Sequence, residues 1–356
     1  MFNIADYFNI PPYSIANAKK RELFLEVMAH LHEIHYEGSL EYRRIIDATW
    51  NPVNSNMEIE DYPMLPVRLF KEYDLMSLDE EQIIKTMTSS GTSGQRVSKI
   101  FLDKYTAINQ TKVLTKILSS FLGTKRLPML VADTKAVLKN RNIHSARGAG
   151  IIGFSMLGYD LTYALNEDMS LNEHALFSFI EKHGDGPVLI FGFTFMIWQY
   201  FLEALKKHPR LNLNNGIMIH GGGWKKLLDQ EVDNPTFKRI VFERIGVPKV
   251  YNYYGMVEQT GSIYMECEKG YLHASIYSDI IVRSHKNFAS LKYQNRGLIQ
   301  LISMLPTSYP GHSILTEDIG EILGEDDCGC GRLGKYFIVH GRVKNAEIRG
   351  CSDTFS

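Results

Sequence analysis

Thr88-Ser89-Ser90-Gly91-Thr92-Ser93-Gly94 sets five hydroxyl side chains and two glycines in one run, with no hydrophobic residue among them. Apolar, strand-like sequence flanks it, Ile83-Ile84-Lys85-Thr86-Met87 upstream and Val97-Ser98-Lys99-Ile100-Phe101-Leu102 downstream. A tip of this kind presents backbone N–H groups and hydroxyls to an anion, and a triphosphate suits such donors. The string lacks the Gly-Lys-Ser/Thr ending that would supply an ammonium and a Mg2+-binding hydroxyl, so it is not a Walker A loop. A nucleotide held here requires another fold; the alternative is a flexible Ser/Gly turn.

Composition sets wide bounds. At 356 residues the chain is long enough for one large domain with subdomains, or for two domains. Apolar residues make up 44% and the formal net charge is -1, which offers no broad basic surface and argues against nucleic acid as a partner. The start, Met1-Phe2-Asn3-Ile4-Ala5-Asp6-Tyr7, has no basic region followed by an apolar one, and no run approaches the ~18 residues of a membrane span. A cytoplasmic protein is expected. Four cysteines in such a chain do not make a disulfide framework, which turns attention to thiol chemistry or metal binding.

The expected organisation is α/β. Between Ile15 and Tyr36, Leu23, Phe24, Val27, Met28, Leu31 and Ile34 recur at three- and four-residue spacing and predict a helix with one apolar face. Pro128–Asp133, Val188–Phe191 and Gly216–His220 read as short buried strands. Helices over Tyr105–Leu122, Phe195–Lys207 and Lys225–Arg244 separate them as crossover units, and the last third turns strand-rich. Gly148–Gly158 is glycine-rich and apolar, suited either to lining a pocket or to close packing. The strand Lys249-Val250-Tyr251 leads into Asn252-Tyr253-Tyr254-Gly255-Met256-Val257-Glu258, putting an aromatic ring, a glycine and a carboxylate at a strand end, where α/β proteins bind ligands. Leu315-Thr316-Glu317-Asp318-Ile319-Gly320 offers an acid in an expected turn. Gly341-Arg342-Val343-Lys344-Asn345-Ala346-Glu347-Ile348-Arg349-Gly350 offers a basic hairpin. Each motif alone is as readily an ordinary turn; their order is the signal.

That order resembles the adenylate-forming superfamily, whose members activate a carboxylate with ATP and pass the acyl group to a thiol. Within it the chain is most similar to the LuxE-like bacterial acyl-protein synthetases, the fatty acid-protein ligases, with phenylacetate-CoA ligases as cousins. The strings that carry the likeness are Pro66–Lys71, Ser89–Gln95, Ser145–Ala149, Tyr254–Gly261 and Arg349–Asp353. The resemblance implies the large N-terminal-type domain of these enzymes over residues 1–340, with a helical segment 1–85. Residues 341–356 would form a hinge hairpin and flexible tail, and the C-terminal lid domain would be absent or vestigial.

It also implies roles. Thr88, Ser89, Ser90, Gly91, Thr92, Ser93 and Gly94 would hold the β- and γ-phosphates, and Gly221, Gly222 and Gly223 would form the turn beside adenine. Tyr254, with Gly255 after it, would stack on the base; Glu258 would bind Mg2+, Asp318 would grip the ribose hydroxyls, and Arg342 would follow the hinge glycine. The lid would carry the catalytic lysine, so the cation assisting adenylation is left to Lys344, Lys335 or a partner's residue. Cys351, on the expected tail after Arg349, would take the acyl group as a thioester and hand it to a partner such as an acyl reductase or acyltransferase. The alternative is an incidental surface thiol.

The other cysteines suggest a metal. Cys267 and His273, with Cys328-Gly329-Cys330 downstream, supply the Cys3His set that Zn2+ takes tetrahedrally, and the phenylacetate-CoA ligase branch shows a similar arrangement. Reduced, partly buried thiols are the alternative. His220, beside the glycine turn, reads as a packed strand-end residue rather than a base. Two further functional classes stand beside the protein ligase. One is a ligase that uses CoA or a carrier-protein thiol, with Cys351 incidental; the other is a non-catalytic subunit that keeps the fold.

Overall fold

The spacing upstream of Tyr36 forms the helix Asn17–Gly38, and its Phe24, Val27, Met28 and Leu31 are wholly buried. These positions follow the i, i+3, i+4, i+7 pattern of one helix face. Lys20 and His35 share that buried face and both find polar partners. Ser39 then caps the next helix, Leu40–Thr49, its Oγ accepting from Tyr42 N. The computed structural model describes residues 2–50, 57–89, 96–138 and 146–343. Two units compose it, Met1–Ile117 with Gly255–Glu347, and Leu118–Tyr254 with Ile348–Ser356.

In the first unit the strand-rich final third becomes an antiparallel run. Its order is Ser278–Arg283, Gly297–Ser303, Ser313–Glu325, Lys335–Arg342, Leu272–His273, Tyr264–Glu266. The short strand Leu65–Pro66 joins Ser313–Glu325 in parallel. The stretches flanking the Ser/Gly tip pair as a separate antiparallel hairpin, Lys85–Thr88 against Lys99–Leu102.

The second unit is a parallel sheet in the order Gly158–Leu165, Leu127–Thr134, Leu189–Phe193, Ile217–Gly221, Lys249–Tyr254. Leu127–Thr134, Leu189–Phe193 and Ile217–Gly221 are buried at every position, as strands covered on both faces by crossover helices must be. Leu130, Ile190 and Met218 from the sheet meet Phe201, Phe237 and Val241 from the helices in one core. The architecture is thus α/β, with mixed strand pairing and packed helices, as the sequence indicates. No lid domain is evident among the described residues, and no described helix is long and apolar enough to cross a membrane.

Three local expectations are corrected. The helix expected over Lys225–Arg244 is broken into a short turn Lys225–Gln230 and a helix Asn234–Ile245, because Pro235 cannot continue a helix yet suits a helix start. Asp233 caps that start, accepting from Thr236 N at 2.9 Å, and Gly246 ends it in the left-handed conformation at φ 79°. The helix over Phe195–Lys207 contains a π-helical stretch, Ile197–Leu202, between short α-helical turns. Asp318 lies within the strand Ser313–Glu325 rather than in a turn, since it pairs with Arg342 across the ladder, and the irregularity is a register shift between Ile319 and Gly320.

The glycine-rich stretch resolves toward close packing. Helix Ala146–Ser155 places Gly150 so that a Cβ would come 3.1 Å from the Phe193 ring, and at the start of the strand Gly158–Leu165 a Cβ on Gly158 would come 2.6 Å from Met129 Sδ.

Candidate active site and metal centre

Of the expected phosphate cradle, Thr88 and Ser89 fall within the described residues; Ser90, Gly91, Thr92, Ser93 and Gly94 lie outside them. Ser89 extends the pairing of the hairpin by one residue. Its N–H donates to Ser98 O at 3.0 Å and its Oγ accepts from Ser98 N at 2.9 Å. Two ion pairs link this region to the end of the short helix Leu69–Glu72 and the residues just after it, Arg96 to Glu72 at 2.7 Å and Lys99 to Asp74 at 3.0 Å.

The strand Lys99–Leu102 runs beside the turn Val257–Gln259, which carries Glu258. Glu258 is 1% exposed, and its backbone is fixed from several sides. Tyr309 Oη donates to Glu258 O at 2.9 Å, and Gln259 Nε2 donates to the carbonyls of Leu301 and Gly311 at 3.1 and 2.9 Å. Gly261 has φ 91° and comes so close to Gln110 that a Cβ would lie 2.7 Å from its carbonyl oxygen, so only glycine fits there. Burial and the Glu258 charge hold the Tyr309 hydroxyl well above its usual range, leaving it a neutral donor.

Asp318 and Arg342, paired in register on neighbouring strands, meet through Arg342 Nε and Asp318 Oδ1 at 3.3 Å. The Arg342 side chain stays 37% exposed, while that of Asp318 is 13% exposed. One residue before Asp318, Glu317 accepts from Arg68 Nε, while Val67 N donates to Leu315 O at 2.9 Å. Lys335 sits elsewhere. Its Nζ is buried, 2.9 Å from Asp279 Oδ2 and 3.0 Å from Ile280 O, in a cluster that also holds Lys20, 3.4 Å from Asp279 Oδ1. Burial pushes the Asp279 carboxyl up, but the two lysine charges outweigh it and keep it below its ordinary range. Lys335 is therefore committed to a core ion cluster rather than to adenylation. Lys344 lies outside the described residues, as do Arg349 and Cys351.

In the second unit the glycine turn follows the strand Ile217–Gly221. Gly221 faces Tyr253 in register, and a Cβ there would come 2.3 Å from the Tyr253 ring. Gly222 has φ 77°, and a Cβ on Gly223 would meet nothing within 4 Å, so the turn is close-packed at one end and open at the other. The ring against the glycines is thus Tyr253's, braced by Phe154 at 4.9 Å, and Tyr254, next along the strand, takes the opposite face. His220 is packed as expected. Its Nδ1 lies 2.9 Å from Thr194 Oγ1, whose hydroxyl also reaches Gly221 O, its ring is 4.4 Å from Phe237, and burial pushes its pKa down to about 3.

Sequence reasoning missed a second buried pair in this unit. Arg147 Nε lies 2.9 Å from Asp133 Oδ2, both side chains almost wholly covered, near the carboxyl end of Leu127–Thr134. Arg147 stands in Ser145–Ala149, but nothing local signals its counter-ion.

The cysteine set closes tightly. Cys267 follows the strand Tyr264–Glu266 into a turn whose Gly270 has φ 86°, and the chain returns through Leu272–His273. Cys328 and Cys330 come from the turn between Ser313–Glu325 and Lys335–Arg342, closed by Gly331 N donating to Cys328 O at 2.9 Å. The four ligand atoms all lie within 4.8 Å of one another. Cys267 and Cys328 sulfurs are 3.9 Å apart, and Cys330 Sγ is 3.4 Å from His273 Nε2. Zn–S bonds of ~2.3 Å in a tetrahedron imply sulfur separations of ~3.8 Å, so the donor set fits zinc. Lys269 N and Arg332 N each point at a sulfur, Cys267 and Cys330, at 3.4 Å, the kind of donor that steadies a thiolate. Burial raises the Cys267 thiol and pushes Cys328 up to about 12. For Cys330 burial acts upward too, but donors led by Arg332 N–H bring it below its usual value. Burial and the Arg332 charge lower His273 to about 4, leaving it the neutral imidazole that a metal ligand must be.

Comparison with known proteins places these features in a family. The model of the acyl-protein synthetase LuxE family matches residues 3–356. A long-chain-fatty-acid–luciferin-component ligase of Vibrio harveyi is 22% identical over 95% of this chain and 88% of its own length. That of Aliivibrio fischeri is 20% identical over 88% and 82%. Among solved structures, 2-hydroxyisobutyryl-CoA ligase in an open conformation, with 2-HIB-AMP and CoA, superposes at TM-score 0.71 with 16% identity, covering 97% of this chain and 80% of its own. That likeness shows the fold of an adenylate-forming ligase. The chain belongs to the LuxE acyl-protein synthetase family, and that membership makes it a ligase.

Proposed function

We propose that the protein is an acid–thiol ligase that activates a fatty or related carboxylic acid with ATP and carries the acyl group on Cys351 to a protein partner, an acyl reductase or acyltransferase, in the cytoplasm. In this reading residues 1–340 perform the adenylation and 341–356 form the hinge and tail. The observation that carries it is the preparation of two acids in one unit of a LuxE family member: Glu258 on a turn fixed through Tyr309 and Gln259, and Asp318 held in register with Arg342.

The carboxylate oxygen of the acid attacks the α-phosphorus, the bond to the bridging oxygen breaks, and pyrophosphate leaves. The Cys351 thiolate then attacks the acyl carbonyl, forming the thioester and releasing AMP. The chain's share is largely positioning and charge stabilisation. Thr88 to Gly94 would donate to the phosphates, Asp318 would accept from the ribose hydroxyls, Gly221 to Gly223 would form the turn beside the base, and Tyr254, followed by Gly255, would stack on it. Glu258 would hold Mg2+, which when bound neutralises charge on the triphosphate. Cys267, His273, Cys328 and Cys330 would hold Zn2+ with no open position, a structural role.

The test is labelled fatty acid with ATP. The label should attach to the protein, be released by neutral hydroxylamine, and be lost in Cys351→Ser while acid-dependent pyrophosphate exchange persists. Hydroxylamine-sensitive label persisting in Cys351→Ser would remove Cys351 as the acceptor.

A further inference from the structure

We propose that Arg147 recognises the carboxylate of the acid substrate, a deepening that rests on the adenylation reading above. The connections of the second unit's parallel sheet locate the site. From Leu127–Thr134 the chain crosses through Ala146–Ser155 to Gly158–Leu165 on one side. It then returns past its starting strand to Leu189–Phe193 and goes on to Ile217–Gly221 and Lys249–Tyr254. Leu127–Thr134 and Leu189–Phe193 are therefore parallel neighbours whose following connections run in opposite directions. In open parallel sheets the carboxyl ends of two such strands bound the crevice in which ligands bind.

Arg147 touches both strand ends. It lies in the first turn of Ala146–Ser155, with Nε 2.9 Å from Asp133 Oδ2 at the end of one strand and Nη1 3.9 Å from Met196 Sδ just past the end of the other. That second strand end also adjoins the glycine turn assigned to the base, since a Cβ on Gly222 would come 3.0 Å from the Phe193 ring. One helical turn beyond Arg147, Gly150 lies against the same Phe193 ring, and Phe154 stacks on Phe191 at 4.3 Å. The surroundings on that side are apolar, as an acid with a hydrocarbon tail requires.

Arg147 is 3% exposed, and that one carboxylate and one sulfur are its polar contacts among the described residues. A guanidinium carries five N–H donors and a thioether is a weak acceptor, so most of this capacity is unspent where little solvent reaches it. Buried donors left unmade are costly. The placement adds to the cost, because a cation in the first turn of a helix faces the positive end of the helix dipole. A second carboxylate relieves both penalties. With Nε held at Asp133, the two outer nitrogens are free to grip a carboxylate through parallel N–H···O bonds.

The experiment compares octanoate with octan-1-ol, equal in chain length but differing in charge, by calorimetry on the full chain, with Mg·ATP binding and pyrophosphate exchange alongside. Wild type should bind octanoate roughly 10- to 100-fold more tightly than octan-1-ol, the difference expected of charge-assisted hydrogen bonds. Arg147→Gln combined with Asp133→Asn removes both charges and so leaves neither one buried alone. That double variant should lose the preference for octanoate while octan-1-ol and Mg·ATP affinities stay unchanged. Arg147→Lys, which keeps a charge beside Asp133 but lacks the fork, should weaken octanoate about 10-fold. Octanoate bound no more tightly than octan-1-ol by wild type overturns the proposal, and so does a preference retained in the double variant. Equal loss of octanoate, octan-1-ol and Mg·ATP binding also overturns it, making the pair a structural strut. If the double variant does not fold, Arg147→Lys decides alone, and wild-type octanoate affinity in it overturns the proposal. Octanoate-selective binding without acid-dependent exchange refutes the adenylation reading and leaves Arg147 as the carboxylate site.

Discussion

The Cys/His cluster and the paired acids of the first unit are built on opposite plans. The cluster closes on itself: four ligand atoms within 4.8 Å, three of the four residues buried, two tight turns holding the sulfurs. The acids are instead fixed through the backbone that carries them. Glu258 is fixed through its backbone, and Asp318 shares one oxygen with a half-exposed Arg342. A donor set that closes on itself stabilises a fold, whereas acids fixed by their supporting backbone are pre-organised for a ligand.

Stripping the metal tests the closed side and carries the largest effect. Purified protein should contain close to one zinc per chain, and its removal should lower the melting temperature steeply, since structural zinc contributes ~10 to 16 kcal/mol. Differential scanning calorimetry with and without a strong chelator reads this, and zinc-free protein of unchanged stability would erase the contrast between the two regions. On the side of the acids, Glu258→Gln should cut pyrophosphate exchange by about 10²- to 10⁴-fold with little change in melting temperature. Exchange at the wild-type rate would take Glu258 out of the chemistry, and collapse of the fold would move it to the closed class.

Acid gives the smallest effect and a control lying in neither region. His35 donates from Nε2 to Pro306 O at 3.1 Å and accepts at Nδ1 from Ser77 at 2.8 Å, a neutral tautomer that burial pushes down to about 3. His220 is lowered similarly, to about 3. Both folded values lie below the ordinary histidine value of about 6.5, so unfolding takes up protons. Their stabilisation is therefore fully present above pH ~6.5 and is lost as pH falls toward 3, about 1.4 kcal/mol per histidine by pH ~5.5. Urea titrations at pH 7.5 and 5.5, with His35→Gln as comparison, measure it; a variant as acid-sensitive as wild type would exclude His35 as a source.

How much of this was legible in the sequence varies with the range of the interaction. The helix Asn17–Gly38 announces itself because Phe24, Val27, Met28 and Leu31 repeat locally, and the cysteine cluster does so because thiols are rare and their turns short. The break at Pro235 is equally local, yet the apolar pattern around it runs on as if the helix were continuous. Asp318 reads as a turn from Thr-Glu-Asp-Ile-Gly alone, and only its partner strand, ending at Arg342, makes it extended. Arg68 and Glu317 lie 249 positions apart, and nothing near either one names the other. Likewise, Lys20 and Lys335 look like ordinary surface lysines until Asp279 brings them inside.

The two units also differ in how their chain is delivered during synthesis. Leu118–Tyr254 arrives as one unbroken stretch, and its parallel strands find partners among close neighbours. The first unit begins with Met1–Ile117 and must wait for residues beyond Gly255. Lys20 emerges 315 residues (335 − 20) before Lys335, the far member of its ion cluster. At ~5 to 20 residues per second on the ribosome that is a delay on the order of 15 to 60 s. Throughout it, the apolar face of Phe24, Val27, Met28 and Leu31 lacks the strands that complete its unit. The nascent protein is therefore most exposed to aggregation through its first helix, and chaperone depletion should reduce soluble yield through that segment before it affects the inserted one.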